Sequence, residues 1–231
     1  MQPIDFNATP QLFDLTHLTE DAKLVRALRA CVELQRSAAA DAMRGAYRPR
    51  PDALGEVSPE RLQQLLQAGV DVDGIRSERE ISNVIVFNDP KYADAVMSPD
   101  LAQRRKALNA LVVDRVRQLF RGRPRLSVTT SGFFLYPPKG YMGWHTNAPN
   151  PGWRLYINYA DEPGKSFIRY RDLEGGIHTL WDKQVNVRLF RVETARPLWH
   201  AIYSDTYRFS IGYRIRLEPS LLERLLRRLK S

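Results

Sequence analysis

Hydrophobic spacing divides the chain into two parts of different period. Through about residue 121 the apolar positions recur at intervals of three and four, the helical period. Thr19 is placed to cap a helix whose first turn holds Glu20 and Asp21, and Leu24, Val25, Leu28, Cys31 and Val32 then share one face. Residues 46–57, with Pro49, Pro51 and Gly55, predict a loop. Ser58-Pro59-Glu60 opens a short helix with Leu62, Leu65 and Leu66 inward and Gly69 at its end. Ile81 to Phe87 is rich in β-branched residues and predicts a strand. Ser98-Pro99-Asp100 opens a longer helix through Leu101, Leu108, Leu111, Val112, Val116 and Leu119, closed by Gly122 and Pro124.

From Arg125 to Arg216 the period shortens to two. Eight strand-like segments follow one another: 126–136, 141–145, 153–159, 166–171, 177–181, 185–191, 198–203 and 207–216. Turn residues separate them, among them Pro137-Pro138, Pro163-Gly164, Gly175-Gly176 and Asp205. In the last, Arg208, Ser210, Gly212 and Arg214 share one face while Phe209, Ile211, Tyr213 and Ile215 share the other. This spacing predicts a sandwich or barrel. The organisation expected is a mostly helical support region over 1–124, a β core over 125–216 and an amphipathic C-terminal helix over 217–231 that starts at the capping box Ser220-Leu221-Leu222-Glu223. That last helix suits packing on the β core or on a second subunit, as in a homodimer, better than lying on a membrane surface.

With 231 residues and 43% hydrophobic content, the chain can bury a sizeable core, which excludes wholesale disorder. No run of 18 apolar residues predicts a membrane-spanning helix. Met1 to Phe13 has neither a basic start nor an apolar stretch, so no signal peptide is expected and the location expected is cytoplasmic. Cys31 is the single cysteine, which excludes a disulfide framework; on an apolar helix face it reads as a core hydrophobe.

Charge changes the picture in one respect. The net +9 is concentrated: residues 104–125 carry eight positive residues and one negative, and residues 214–230 carry six and two. Solvated helix faces account for this most simply. A nucleic-acid partner is the alternative, less favoured because no aromatic residues interleave with the charges as stacking platforms.

The chain has only four histidines. Two of them, in Trp144-His145 and Trp199-His200, each follow a tryptophan on a predicted strand. If each Trp faces a core, each His faces the other way. Two neutral imidazoles converging on one point suit a divalent metal. Arg208, with Ser210 on its face, suits a carboxylate, because a guanidinium can grip it with two parallel hydrogen bonds. His178 reads as a turn-proximal surface residue, and Tyr141, Trp153, Arg169 and Trp181 as packing residues that could also touch a ligand.

These pieces, in this order, resemble a known family. Leu135-Tyr136-Pro137-Pro138, Gly143-Trp144-His145-Thr146-Asn147, Arg154 through Tyr159, Trp199-His200 and Arg208-Phe209-Ser210-Ile211 are similar to the iron(II)/2-oxoglutarate-dependent oxygenases, most closely the prolyl-hydroxylase-like branch. The resemblance covers about residues 125–216. It implies a mainly β fold with helices, an eight-stranded double-stranded β-helix (a jelly-roll, cupin-like barrel) buttressed by helices. It also implies a hydroxylase using iron(II), O2 and 2-oxoglutarate, acting on an amino acid, peptide side chain or small metabolite. Carried over by motif, His145, Asn147 and His200 would hold the metal. Arg208 and Ser210 would anchor 2-oxoglutarate, with Tyr136 and Tyr159 beside it.

The family has Asp or Glu where this chain has Asn147. A carboxylate offsets one of the metal's two charges and an amide does not. Three outcomes are open: Asn147 as a weaker ligand or hydrogen bonder, a coordination place open to water or halide as in the family's halogenases, or a site that has lost iron and only binds. Asp161 follows the third strand and is expected at its far end, away from the site. The alternatives to a hydroxylase are a non-catalytic binding protein on the same fold and a nucleic-acid-directed oxygenase.

Overall fold

The computed structural model describes residues 11–69, 81–87, 98–120 and 126–217. Its helices are α1 (Ala22–Ala46), α2 (Pro59–Gln67) and α3 (Pro99–Leu119). Ser58 and Ser98 cap α2 and α3, their hydroxyls accepting from Arg61 N and Leu101 N, with proline in the first turn of each. At α1 the cap is not the expected Thr19, which lies in a 3-10 turn (Thr16–Glu20); the carboxylate of Asp21 accepts from Lys23 N at 3.0 Å instead. Asp21 also pairs with Arg115 of α3, so one carboxylate caps one helix and ties it to the next. On α2, Leu62 is buried, but Leu66, expected inward, is exposed. The predicted C-terminal helix and the predicted stop at Gly122 and Pro124 lie outside the described residues.

The strands are β1 (Leu12–Asp14), β2 (Ile81–Ser82), β3 (Ile85–Val86), β4 (Leu126–Tyr136), β5 (Gly140–His145), β6 (Gly152–Ala160), β7 (Ser166–Arg171), β8 (Ile177–Trp181), β9 (Val185–Val192), β10 (His200–Ser204) and β11 (Arg208–Leu217). All pair antiparallel, in a six-stranded sheet ordered β1-β9-β6-β11-β4-β3 and a five-stranded sheet ordered β2-β5-β10-β7-β8. The eight long strands β4 to β11 pass between the sheets in the order of a double-stranded β-helix. The predicted strand 81–87 is instead two short ones in different sheets. Asn83, with φ of 56°, turns the chain from one sheet to the other. β1 is too short to carry an alternation.

Period-two alternation gives the large sheet two unlike faces. Phe133, Leu135, Leu155, Ile157, Val187, Leu189, Phe209, Ile211 and Ile215 face the helices. There they meet Leu24, Leu28, Cys31 and Val32 of α1 and Leu108, Val112 and Val116 of α3. Cys31 is fully buried, and burial pushes its thiol up to about 11, so it packs as a hydrophobe. Two charges of the basic stretch are also absorbed here: Arg105 lies 3.7 Å over the Phe133 ring, and Arg115 holds Asp21. The largest core thus lies between sheet and helices. On the opposite face, between the two sheets, polar residues share the space with a smaller apolar cluster that includes Met142, Ile168, Phe190 and Ile202. No helix among the described residues is long and apolar enough to cross a membrane.

Candidate functional site

The space between the sheets is a pocket lined by Tyr136, His145, Tyr156, Arg188, His200, Arg208 and Ser210 among others. A bulge aims one of the histidines. On β10, His200 and Ile202 are two residues apart, but their partners on β5, His145 and Met142, are three apart. The extra residue shifts the alternation by one, so Met142 and His145 both face the cavity while Tyr141 and Trp144 face outward. Trp144 and Trp199 pack in the outer cluster with Val57 and Leu62, and Trp144 donates to Ser58 O. Each tryptophan therefore anchors its neighbour histidine inward, as the sequence predicts.

His145 and His200 are direct cross-strand partners, with ring centroids 4.1 Å apart. Their second nitrogens are held alike. Nδ1 of His145 lies 2.8 Å from Gly143 O, and Nδ1 of His200 lies 2.9 Å from Leu198 O. A carbonyl only accepts, so each Nδ1 carries the proton and each Nε2 presents a lone pair. Asn147 follows at the end of β5 in a left-handed backbone (φ 58°), a conformation that asparagine tolerates better than most residues. This turn brings its amide nitrogen to 3.3 Å from His200 Nε2. Among the described residues no three His, Cys, Asp or Glu side chains cluster, so the third donor beside the imidazoles is this amide. Two imidazoles and an amide oxygen, reached by a half-turn of the amide, fit a divalent transition metal through neutral ligands alone.

The other end of the cavity is built on charge. Arg208, at the start of β11, is 2% exposed, and its guanidinium lies 5.2 Å from the Tyr136 ring centroid. Its Nε donates to Asp182 Oδ2 at 2.7 Å. The other oxygen of Asp182 accepts from Arg188 Nη1 at 2.5 Å, and Ser166 Oγ donates to Oδ2 at 2.6 Å. Burial opposes ionisation of Asp182, but Arg208 and Arg188 outweigh it and hold the carboxyl below its usual range. Two buried guanidiniums against one carboxylate leave one positive charge in excess. The Nη groups of Arg208 carry no hydrogen bond among the described residues.

The expected site residues fall out as follows. His145, His200, Arg208, Ser210 and Tyr136 line one cavity, and Asn147 stands at His200. Tyr159 does not join them: it shares the face of Leu155 and Ile157 and packs against the helix-side core. Tyr156, of opposite parity, is the tyrosine that β6 gives the cavity. Asp161 pairs with Arg36, remote from the histidines. His178 is half-exposed and bonds Asp172. Tyr141, Trp153, Arg169 and Trp181 are absent from the cavity wall. Missed from sequence were Asp182 and Arg188. Arg188 alternates with Phe190 opposite Val187 and Leu189, which already marks it as inward.

Two glycines shape the wall. Gly132 and Gly212 are cross-strand partners, and a Cβ on Gly212 would stand 2.7 Å from the Tyr156 ring. Their bare backbone lets the rings of Phe134 and Tyr156 lie against the sheet, Tyr156 stacking on Phe190 at 5.5 Å and 5°.

No protein-family model matches the sequence, and no curated protein matches it. Among solved structures, the chain is similar to a Pseudomonas putida prolyl-4-hydroxylase at 16% identity, over 91% of this chain and 94% of that one, with a TM-score of 0.46. It is similar to a Trichoplax adhaerens prolyl hydroxylase, solved with a hypoxia inducible factor peptide fragment, at 12% identity over 96% and 88%, with a TM-score of 0.48. It is also similar to a full-length Neurospora crassa protein, solved in complex with alpha-KG, at 12% identity over 96% and 87%, with a TM-score of 0.41.

Proposed function

We propose that the chain is an iron(II)/2-oxoglutarate-dependent oxygenase that hydroxylates an unactivated C–H bond of an amino acid, peptide side chain or small metabolite. One observation carries this: two imidazole lone pairs enter a cavity whose far end is a buried guanidinium with an excess positive charge. A metal-chelating keto-diacid spans two such ends. Iron(II), when bound, would supply oxygen activation coupled to decarboxylation of 2-oxoglutarate to succinate.

The chain's own residues do the rest. His145 and His200 would hold the metal through Nε2, their tautomers fixed by Gly143 O and Leu198 O. Asn147 would turn its amide oxygen toward the same point. Arg208 would grip the far carboxylate with its Nη groups, while Asp182, bonded at Nε, fixes the plane of the guanidinium. Ser210, two positions along the same face, would donate its hydroxyl, and the Tyr136 ring supports the guanidinium from below. Phe134, Met142, Ile168, Phe190 and Ile202 keep water from the centre.

The test is calorimetry with manganese(II) and 2-oxoglutarate, followed by succinate release with iron(II) across amino-acid, peptide and metabolite pools. Metal-dependent binding of 2-oxoglutarate is expected. A protein that binds neither refutes the proposal. Asn147 favours one second reading, a binding module that holds a diacid without catalysis, because three neutral donors leave both metal charges unbalanced. It predicts 2-oxoglutarate binding that is indifferent to metal, and no succinate.

A further inference from the structure

Arg188 and Arg208 serve the cavity floor, but three other arginines on the same face of that sheet have no part in it. Arg154 of β6 and Arg214 of β11 are direct cross-strand partners. Arg216 follows on the same face as Arg214. Arg214 lies six positions beyond Arg208, about 20 Å along an extended strand. Arg154 is two positions, about 7 Å, from Tyr156 on the cavity wall. The loop that carries Asn147 touches both: Asn150 O accepts from Arg154 Nη2 at 2.6 Å, and its Oδ1 lies 3.5 Å from Arg214 Nη2. The three arginines therefore form a rim at the histidine end of the barrel, opposite the Arg208 floor.

Among the described residues this rim lacks a counter-charge: none of the three arginines meets a carboxylate. Arg154 is 3% exposed and bonds only the backbone carbonyls of Asn150 and Trp153. Nε of Arg214 is buried without a hydrogen-bond partner. So is the hydroxyl of Ser131, the extra residue where β4 bulges against Gly212 and Tyr213. That hydroxyl stands on the cavity face, 3.0 Å from where a Cβ on Gly212 would be. Burial, with the charges of Arg214 and Arg216, pushes the Arg154 guanidinium down to about 10. Burying like charges side by side is costly unless something neutralises them. An unused guanidinium donor on Arg214 and an unused hydroxyl on Ser131, beside two further guanidiniums without a carboxylate, are the complement of an oxyanion.

We propose that this rim is a substrate subsite: the molecule to be oxidised carries a carboxylate or phosphate, which Arg154, Arg214 and Arg216 hold while Ser131 donates to it, and its other end passes Tyr156 toward His145 and His200. As a statement about substrate this rests on the oxygenase reading; as an anion site it stands on the arginines alone.

The test follows the arginine Nε–Hε resonances of the full chain, labelled with 15N, during titration with inorganic phosphate and, separately, with acetate. Saturable shifts of Arg214 and Arg154 are expected. Arg214→Gln should weaken phosphate at least tenfold, the low end of what one charge-assisted hydrogen bond contributes. Arg216→Gln, at an exposed position, should weaken it less. Arg208→Gln should leave the rim response in place. A response to phosphate alone assigns a phosphorylated substrate, and a response to acetate of equal strength a carboxylate. Shifts confined to Arg208, shifts that do not saturate, or an unchanged dissociation constant in Arg214→Gln overturn the subsite. 2-Oxoglutarate binding to the wild type, measured alongside, separates the two ideas. Loss of that binding with an intact rim response refutes the oxygenase, and the reverse refutes the rim.

Discussion

Asp182→Asn tests whether the cavity floor is held by charge. Asp182 is 2% exposed and divides its oxygens between Arg188 at 2.5 Å and Arg208 at 2.7 Å, with Ser166 donating to the latter oxygen. Asparagine has nearly the same shape but replaces one acceptor by an NH2 donor, which must face a guanidinium or the Ser166 hydroxyl. Two buried cations would then stand without an anion. Removing one partner of a buried ion pair costs about 3–5 kcal/mol, more than a surface pair of any geometry. For a chain of this length that lowers Tm by about 6–20 °C. The assay is thermal unfolding with and without saturating 2-oxoglutarate. The variant should gain more from the ligand than the wild type, because the ligand's carboxylate replaces the missing one. The pH dependence gives an independent check. Since Asp182 titrates below its unfolded value of about 3.9, its contribution is complete above that value and is lost as pH falls through the folded one. The gap between wild type and variant should therefore narrow only in acid, below about pH 4. A variant within about 1 kcal/mol of wild type at pH 7, where a neutral hydrogen bond would put it, refutes the ionic account.

Arg208→Gln removes charge-assisted hydrogen bonds worth about 1.5–3 kcal/mol each, so the 2-oxoglutarate dissociation constant should rise roughly 10- to 150-fold by calorimetry, with manganese affinity retained. Asn147→Asp adds the missing negative charge at a backbone conformation that aspartate also accepts, and should tighten manganese(II) about tenfold or more; unchanged affinity would mean the position never meets the metal. Gly212→Ala sets a methyl group 2.7 Å from Tyr156, so it should cost about 1–3 kcal/mol in urea unfolding and push that ring into the cavity, which a shifted Tyr156 NMR signal would report.

Which parts of this were legible in the sequence depends on how local each signal is. Eight long strands were readable because alternation is written in the strand itself. Trp144-His145 and Trp199-His200 were readable for the same reason, neighbours on a strand facing apart. The bulge that makes Met142 and His145 share a face was not, because it exists only in the register between β5 and β10. β1 has three residues, and β2 and β3 two each, too few to show a period. They take strand form because sheet edges are there to receive them. Tyr159 shows the opposite failure. The alternation of Leu155, Ile157 and Tyr159 already assigned it to the helix side, and family resemblance pulled it to the wrong face.

The floor of the cavity marks the physical limit of reading by pattern. Asp182 follows β8, Arg188 sits on β9 and Arg208 on β11, and only the folded sheet order brings one carboxylate between two guanidiniums. A sequence shows that Arg208 is inward; it does not show that its charge is half taken up by Asp182 and half left for a ligand. The same holds at the rim, where Arg154 and Arg214 become neighbours through pairing of β6 with β11, and where no carboxylate among the described residues answers them. One pairing leaves a charge that is partly compensated, the other a charge that no described residue compensates. At both places an anionic ligand would supply the missing charge, and a larger share of it at the rim than at the floor.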